Sequence, residues 1–267
     1  DGKLTPCRIQ GVAREVRCGS IQRPENPDAP TGRQISVRYA VVPALARHKA
    51  SDPVFIFAGG PGQSAIHIAP QVLSTQALLN TQRDLVFVDQ RGTGQSNPLT
   101  CTNPKPTAPL REVLDTQAQL ARMHRCIEAL RTQGHDLRQY ATWIAVRDIE
   151  AVRAALGSEH INVWAASYGT RAALEYLRQF PQRVRSAVLD GVVPPSVVLP
   201  QSFAHDNEAA LRRLLDACAL DARCNAAYPN LGTSLEHLLA LAERGLLRLS
   251  VVHPVTGERE VVSFDRA

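Results

Sequence analysis

Ser167 stands in the string Ala165-Ala166-Ser167-Tyr168-Gly169, where an apolar run from Ile161 gives way to a helical pattern. A serine at a sharp strand-to-helix turn holds its hydroxyl out from the bend. The bend in turn requires small residues two positions before and two after. Ala165 and Gly169 meet that requirement, although glycine is usual at both places. A small-x-Ser-x-Gly string is weak by itself and mostly means nothing. Its place between a buried strand and a helix is what raises it. The chemistry open to such a serine is nucleophilic attack on a carbonyl, through a covalent acyl intermediate.

A second segment supplies what that attack needs. Gly59-Gly60-Pro61-Gly62-Gln63-Ser64 follows directly on the apolar run at 54–57. A glycine turn at the carboxyl end of a strand exposes backbone N–H groups, and acyl transfer needs donors where charge develops on the carbonyl oxygen. The N–H groups of Gly60 and Tyr168 are the expected oxyanion hole. An ordinary strand-to-helix turn is the plainer reading; a phosphate loop is set aside because the G-K-[ST] ending is missing. A third segment, Asp89-Gln90-Arg91-Gly92-Thr93-Gly94-Gln95-Ser96, follows the run at 85–88. Asp89 and Arg91 have no evident acid–base task. They are expected to pair with each other or with backbone amides in a tight loop.

These segments need a scaffold, and the hydrophobic pattern predicts one. Runs at 54–57, 85–88, 161–164 and 187–189 are apolar except for Asn162 and lead into Gly, Ala or Asp. Continuous apolarity implies strands buried on both faces, as in a parallel sheet. Stretches near 12–16 and 35–42 alternate, and suggest an antiparallel edge. Leu120, Met123, Ile127 and Leu130 recur at helical steps, as do Ala145, Ile149, Val152 and Leu156 before Gly157. A further helix is expected over 168–179, ended by Pro181. The fold class is α/β: a mostly parallel sheet covered by helices, with residues 1–192 forming its N-terminal part. After Gly191 the character changes. Pro194, Pro195 and Pro200 mark a connection. Two amphipathic helices follow, the second starting at a capping box, Thr233 with Glu236, and ending at Gly245. A hairpin of 247–252 and 259–263 comes last, so residues 193–267 are expected to begin a helical lid.

Composition excludes several classes. The 267 residues are 44% hydrophobic and 21% charged, an ordinary globular mix. The net charge of +5 is scattered without a dense basic run, which argues against a nucleic-acid partner. No apolar run approaches the ~18 residues of a membrane span. No metal-binding spacing occurs, and no cofactor is expected. The chain opens at Asp1, and Met123 is its single methionine. A removed leader peptide would account for both. Six cysteines agree with an oxidising compartment, secreted or periplasmic. Fifteen connectivities are possible. Three local loops, Cys7 with Cys18, Cys101 with Cys126 and Cys218 with Cys224, are the simplest choice; buried reduced thiols are the alternative.

Taken together and in this order, residues 59–64, 89–96, 164–170 and 189–191 resemble the prolyl and tripeptidyl aminopeptidases, a family of α/β-hydrolase serine peptidases. The resemblance runs from about Cys7 to Cys224, and the local cysteine pairs look like those of the secreted tripeptidyl members. Ala58 departs from it, standing where many relatives have histidine, and Ala165 replaces the elbow glycine. The resemblance implies hydrolysis of peptide bonds near a free N-terminus through an acyl-enzyme on Ser167. It also implies a triad acid and histidine beyond the lid. After Ser167 the sequence offers Asp190, Asp206, Asp216, Asp221, Asp265, His205, His237 and His253. Each is expected to be a surface or capping residue, so a C-terminal segment or second chain is expected to supply Asp and His. Glu208 is a conceivable contact for the substrate's ammonium, although a solvated helix-start glutamate is the plainer reading. An esterase, or a binding protein that kept the fold, are the alternatives.

Overall fold

The structure is a computed structural model describing residues 3–198 and 200–264. Seven strands form one sheet: β1 (Thr5–Cys7), β2 (Val16–Pro24), β3 (Gln34–Val42), β4 (Val54–Phe57), β5 (Leu85–Val88), β6 (Ile161–Ala166) and β7 (Val184–Asp190). Their order is β1-β2-β3-β5-β4-β6-β7. The last four in that order run parallel, and β1 to β3 join them as an antiparallel extension.

The apolar runs work as expected at the centre. All four residues of β4 are buried. Phe55 and Phe57 enter a cluster on one face with Val146, Ile149, Ala172 and Tyr176 of the helices α4 (Thr142–Ala155) and α5 (Tyr168–Gln179). Val54 and Ile56 point the other way, into a cluster with Ala69 and Val72 of α1 (Ala69–Thr75). A strand alternates its side chains across the sheet, so one covered on both faces must be apolar throughout.

Two strand expectations need correction. The alternating stretch near 12–16 is mostly not strand. Gly11 at φ +80° turns the chain, the Val12 N–H donates to Ile9 C=O at 3.0 Å, and Ile9 and Val12 plug the core from that turn. Pairing begins only at Val16 and continues through the polar residues of β2, which carry little strand signal. The apolar run in β7 is not all buried: Ala187 is exposed and Val188 is 55% exposed, while Leu189 is partly buried. It lies at the end of the sheet with β6 as its one neighbour among the described residues.

The described residues divide into two compact units, one up to Thr100 plus Leu130–Val197, the other Cys101–Ala129 plus the residues from Val198 onward. The second contains α2 (Leu110–Leu114), most of α3 (Thr116–Thr132), α6 (Phe203–Leu220), α7 (Ala222–Ala227), α8 (Leu231–Glu243) and the antiparallel hairpin of β8 (Leu247–Val252) and β9 (Arg259–Phe264). The capping-box expectation fails: α8 starts at Leu231 after Asn230 in the left-handed conformation, so Thr233 already lies inside the helix. Its end is as expected, with Gly245 at φ +66°. All three local disulfides form, with Cα separations of 5.8, 5.4 and 5.1 Å, within the usual range. No helix among the described residues is long and apolar enough to cross a membrane.

Candidate active site

Ser167 is the hinge between β6 and α5. Its φ of +54° and ψ of −128° put a non-glycine residue in territory that costs roughly 1–3 kcal/mol and persists only when neighbours hold it. They do. The Ser167 N–H donates to Asp190 C=O at 2.9 Å, and its carbonyl accepts from the Thr170 N–H at 2.9 Å and the Thr170 hydroxyl at 2.7 Å. The side chain is exposed, outside any regular helix.

The small flanking residues have visible reasons. Ala165 is fully buried in register with Phe57 of β4 and Leu189 of β7. A Cβ at Gly169 would fall inside the Phe57 carbonyl oxygen, with the Phe57 carbonyl carbon at 2.8 Å and Ala58 O at 3.0 Å. The helix can therefore start against the end of β4 only because this position is glycine. The same closeness brings the glycine turn to the serine: a Cβ at Gly59 would sit 3.4 Å from Ser167 Cβ. Gly60 follows at φ +107° on the exposed side of the turn. Among the described residues neither the Gly60 N–H nor the Tyr168 N–H donates to an acceptor. The Tyr168 phenol turns aside, 2.7 Å from the Thr142 hydroxyl.

Asp89 fixes the glycine turn from beneath. It is 1% exposed and accepts from the Ser64 hydroxyl at 2.6 Å, the Ile66 N–H at 3.1 Å and the Gln95 N–H at 3.2 Å. That matches the expected pairing with amides. Arg91 does not pair with Asp89. It donates to both Asp148 oxygens, at 2.7 and 2.9 Å, and to the carbonyls of Glu25 and Gln139. On the far side, α5 is pinned to α4 by the buried Tyr176, whose phenol donates to Glu150 at 2.7 Å. Burial first, and the Glu150 carboxylate next, push that phenol well above its ordinary range, so it stays a donor.

Two residues that sequence reasoning does not single out also belong here. Thr170 is fully buried and accepts from the Val193 N–H at 2.8 Å. Arg171 donates to the carbonyls of Pro194, Pro195 and Val197 at 3.4, 3.0 and 2.9 Å. No local pattern in the sequence announces these bonds, because their partners lie more than twenty positions away.

Asp190 touches Ser167 through its carbonyl, and its side chain is exposed. His205, Asp206, Asp216 and His237 are exposed, Asp221 caps α7 through the Cys224 N–H, and Glu208 pairs with Arg212 at 2.9 Å. His253 is not a surface residue. It is 2% exposed, its Nδ1 accepts from the Val255 and Thr256 N–H groups, and its Nε2 lies 3.1 Å from Ala108 O. That is a turn-capping role. Asp265 lies outside the described residues.

Comparison with known proteins identifies the fold family. The family model of the alpha/beta hydrolase fold matches residues 52–238. The chain is 31% identical over 211 residues to serine protease Hip1 of Mycobacterium tuberculosis, covering 72% of this chain and 39% of that protein. It is 32% identical over 200 residues to tripeptidyl aminopeptidase of Streptomyces coelicolor, covering 69% and 36%. It is also 31% identical over 199 residues to carboxylesterase B of M. tuberculosis, covering 69% and 37%. The chain thus spans less than two fifths of these relatives' length.

Proposed function

Since this chain belongs to the α/β-hydrolase fold family, we propose that it carries the nucleophile of a serine hydrolase that cleaves peptide bonds near a free N-terminus. Ser167 attacks the carbonyl, and the Gly60 and Tyr168 N–H groups hold the developing oxyanion. A histidine and an acid from sequence beyond Ala267, or from a second polypeptide, move the proton. The observation that carries this reading is the exposed Ser167 in its strained bend against the Gly59 turn. An unassisted serine hydroxyl is a poor nucleophile at neutral pH, so the missing partners are part of the proposal. The flank of β7, with exposed Ala187 and Val188 and no second neighbour among the described residues, is a fitting place for further strands. Residues from 193 onward begin the lid. The three disulfides support a secreted or periplasmic setting. The names of two relatives, a serine protease and a tripeptidyl aminopeptidase, support the substrate class.

The test compares the complete gene product with residues 1–267 alone on a tripeptide chromogenic amide. Turnover by the complete protein is expected to vanish in Ser167→Ala. The isolated chain is expected to be slower by about ten-thousand-fold or more, the usual cost of a missing triad member. Undiminished turnover in Ser167→Ala would end the proposal. The carboxylesterase relative favours a second reading, ester hydrolysis at the same serine. Matched ester, blocked-peptide and free-amine substrates separate the two, because only the aminopeptidase requires the free amine.

A further inference from the structure

Thr170 has no side-chain freedom left. It is fully buried, its hydroxyl donates to Ser167 C=O at 2.7 Å, and the same oxygen accepts from the Val193 N–H at 2.8 Å. A threonine bonding back to the carbonyl three residues earlier is common in a first helical turn and would need no comment. The second bond is different. It reaches a segment twenty-three residues on, in the connector 191–197 that leaves β7. Arg171, the next residue, holds that connector at three further carbonyls, those of Pro194, Pro195 and Val197. The first turn of α5 therefore grips the connector with one hand and the strained serine with the other.

We propose that Thr170 is a positioning residue for Ser167, with the Arg171-seated connector as the fixed point against which it holds the serine. The inference rests on Ser167 being the nucleophile. Its physical basis is the bend itself. A backbone at φ +54° relaxes toward ordinary values unless its carbonyl and N–H are tied down. The Thr170 hydroxyl is the only tie at the carbonyl end that also engages the connector among the described residues. Removing it leaves the Val193 N–H without its acceptor and the Ser167 carbonyl held by the Thr170 N–H alone, so the bend is held less firmly. Displacement of the reacting oxygen by about 1 Å is worth on the order of a hundredfold in rate. Thr170 is buried behind the serine and touches no substrate, so the loss falls on the rate of acylation and not on binding.

The experiment labels the complete gene product with a fluorophosphonate probe and separates the limiting labelling rate from the probe's half-saturation concentration. Native-state hydrogen exchange at the Val193 amide is followed in parallel. Thr170→Val is expected to lower the limiting rate about ten- to hundredfold, with half-saturation within twofold of wild type, and to speed Val193 exchange. Thr170→Ser, which keeps the hydroxyl, is expected to restore both. Labelling of a folded Thr170→Val within twofold of wild type would overturn the proposal. So would a Thr170→Ser variant as slow as Thr170→Val. Should Thr170→Val not fold, Arg171→Met carries the test: it unseats the connector while leaving the hydroxyl in place. Several-fold slower labelling and faster Val193 exchange are then expected, and no change in either refutes the inference. A wild-type protein that never labels at Ser167 defeats the nucleophile reading, and the positioning role falls with it. The Val193 exchange rates still report whether the clamp exists.

Discussion

Gly169→Ala is the sharpest test of how the site is assembled. The added methyl would meet backbone, not a side chain that can step aside: the Phe57 carbonyl oxygen, its carbon at 2.8 Å and Ala58 O at 3.0 Å. Those atoms end β4, which pairs with both β5 and β6. The helix cannot easily retreat either, because Tyr176 bonds it to Glu150 of α4. Relief therefore needs about an ångström of separation between the start of α5 and the end of β4. Overpacking of this kind costs about 1–3 kcal/mol. The same movement parts Ser167 from the glycine turn that follows β4, so reactivity should fall by about a hundredfold. Urea unfolding measures the first effect and fluorophosphonate labelling of the complete gene product the second. Gly157→Ala is the control. It has φ +68° but nothing within 4 Å, so it should lose roughly 1–2 kcal/mol of stability while labelling normally. Gly169→Ala unfolding within about 0.5 kcal/mol of wild type and labelling at full rate would refute the close-contact account.

Three further outcomes follow from the scaffold. Arg91→Met leaves Asp148, 1% exposed, with Arg23 as its remaining ion-pair partner among the described residues, and should cost about 3–5 kcal/mol in urea unfolding; Arg91→Met with Asp148→Leu should recover part of it. Asp52 sits among Arg83, Arg185 and Asn162. Burial acts to raise its pKa, but bonds from Asn162 and Arg83 prevail and lower it from 3.8 to about 2. A carboxyl with a depressed folded pKa stabilises fully above its unfolded value, and that contribution fades as pH falls from about 4 to about 2. Asp52→Asn should therefore lower the melting temperature at pH 7 and flatten its acid dependence in that window. Replacing Cys7 and Cys18 by alanine opens a loop closed across 11 positions and should cost about 2–4 kcal/mol, with no effect on labelling at Ser167.

The sequence is most legible where one physical demand dominates. β4 and β5 must be apolar on both faces, and their continuous runs say so. α5 begins at the serine and ends before Pro181, as its small residues and proline dictate. Where demands are mixed, the reading blurs. β2 pairs along nine residues that include Arg17, Ser20, Gln22 and Arg23, because an outer antiparallel strand tolerates polar side chains. Ala187-Val188-Leu189 reads like β5, yet its Ala187 and Val188 stand exposed, since apolarity records a need for cover without naming what covers it. Periodicity finds α3, but its Met123 is 59% exposed, so the stripe locates a helix without locating its partner. At the site, Ser167 and the glycine turn are visible because they need special backbone. Thr170 and Arg171 are not, because ordinary residues take on their roles only through distant contacts. His253 caps a turn, one of the two roles expected of it, but its burial is not legible, because its contact with Ala108 lies far away in sequence.

The flank of β7 that lacks a neighbour among the described residues has a consequence for handling this polypeptide. A strand with one side unpaired offers a ladder of amides and carbonyls to any extended chain, and here Val188 makes that ladder greasy as well. Preparations of residues 1–267 should scatter more light as they are concentrated and bind amyloid-type dyes on standing. A lysine in place of Val188 should quiet both, as charged gatekeepers do on natural sheet borders.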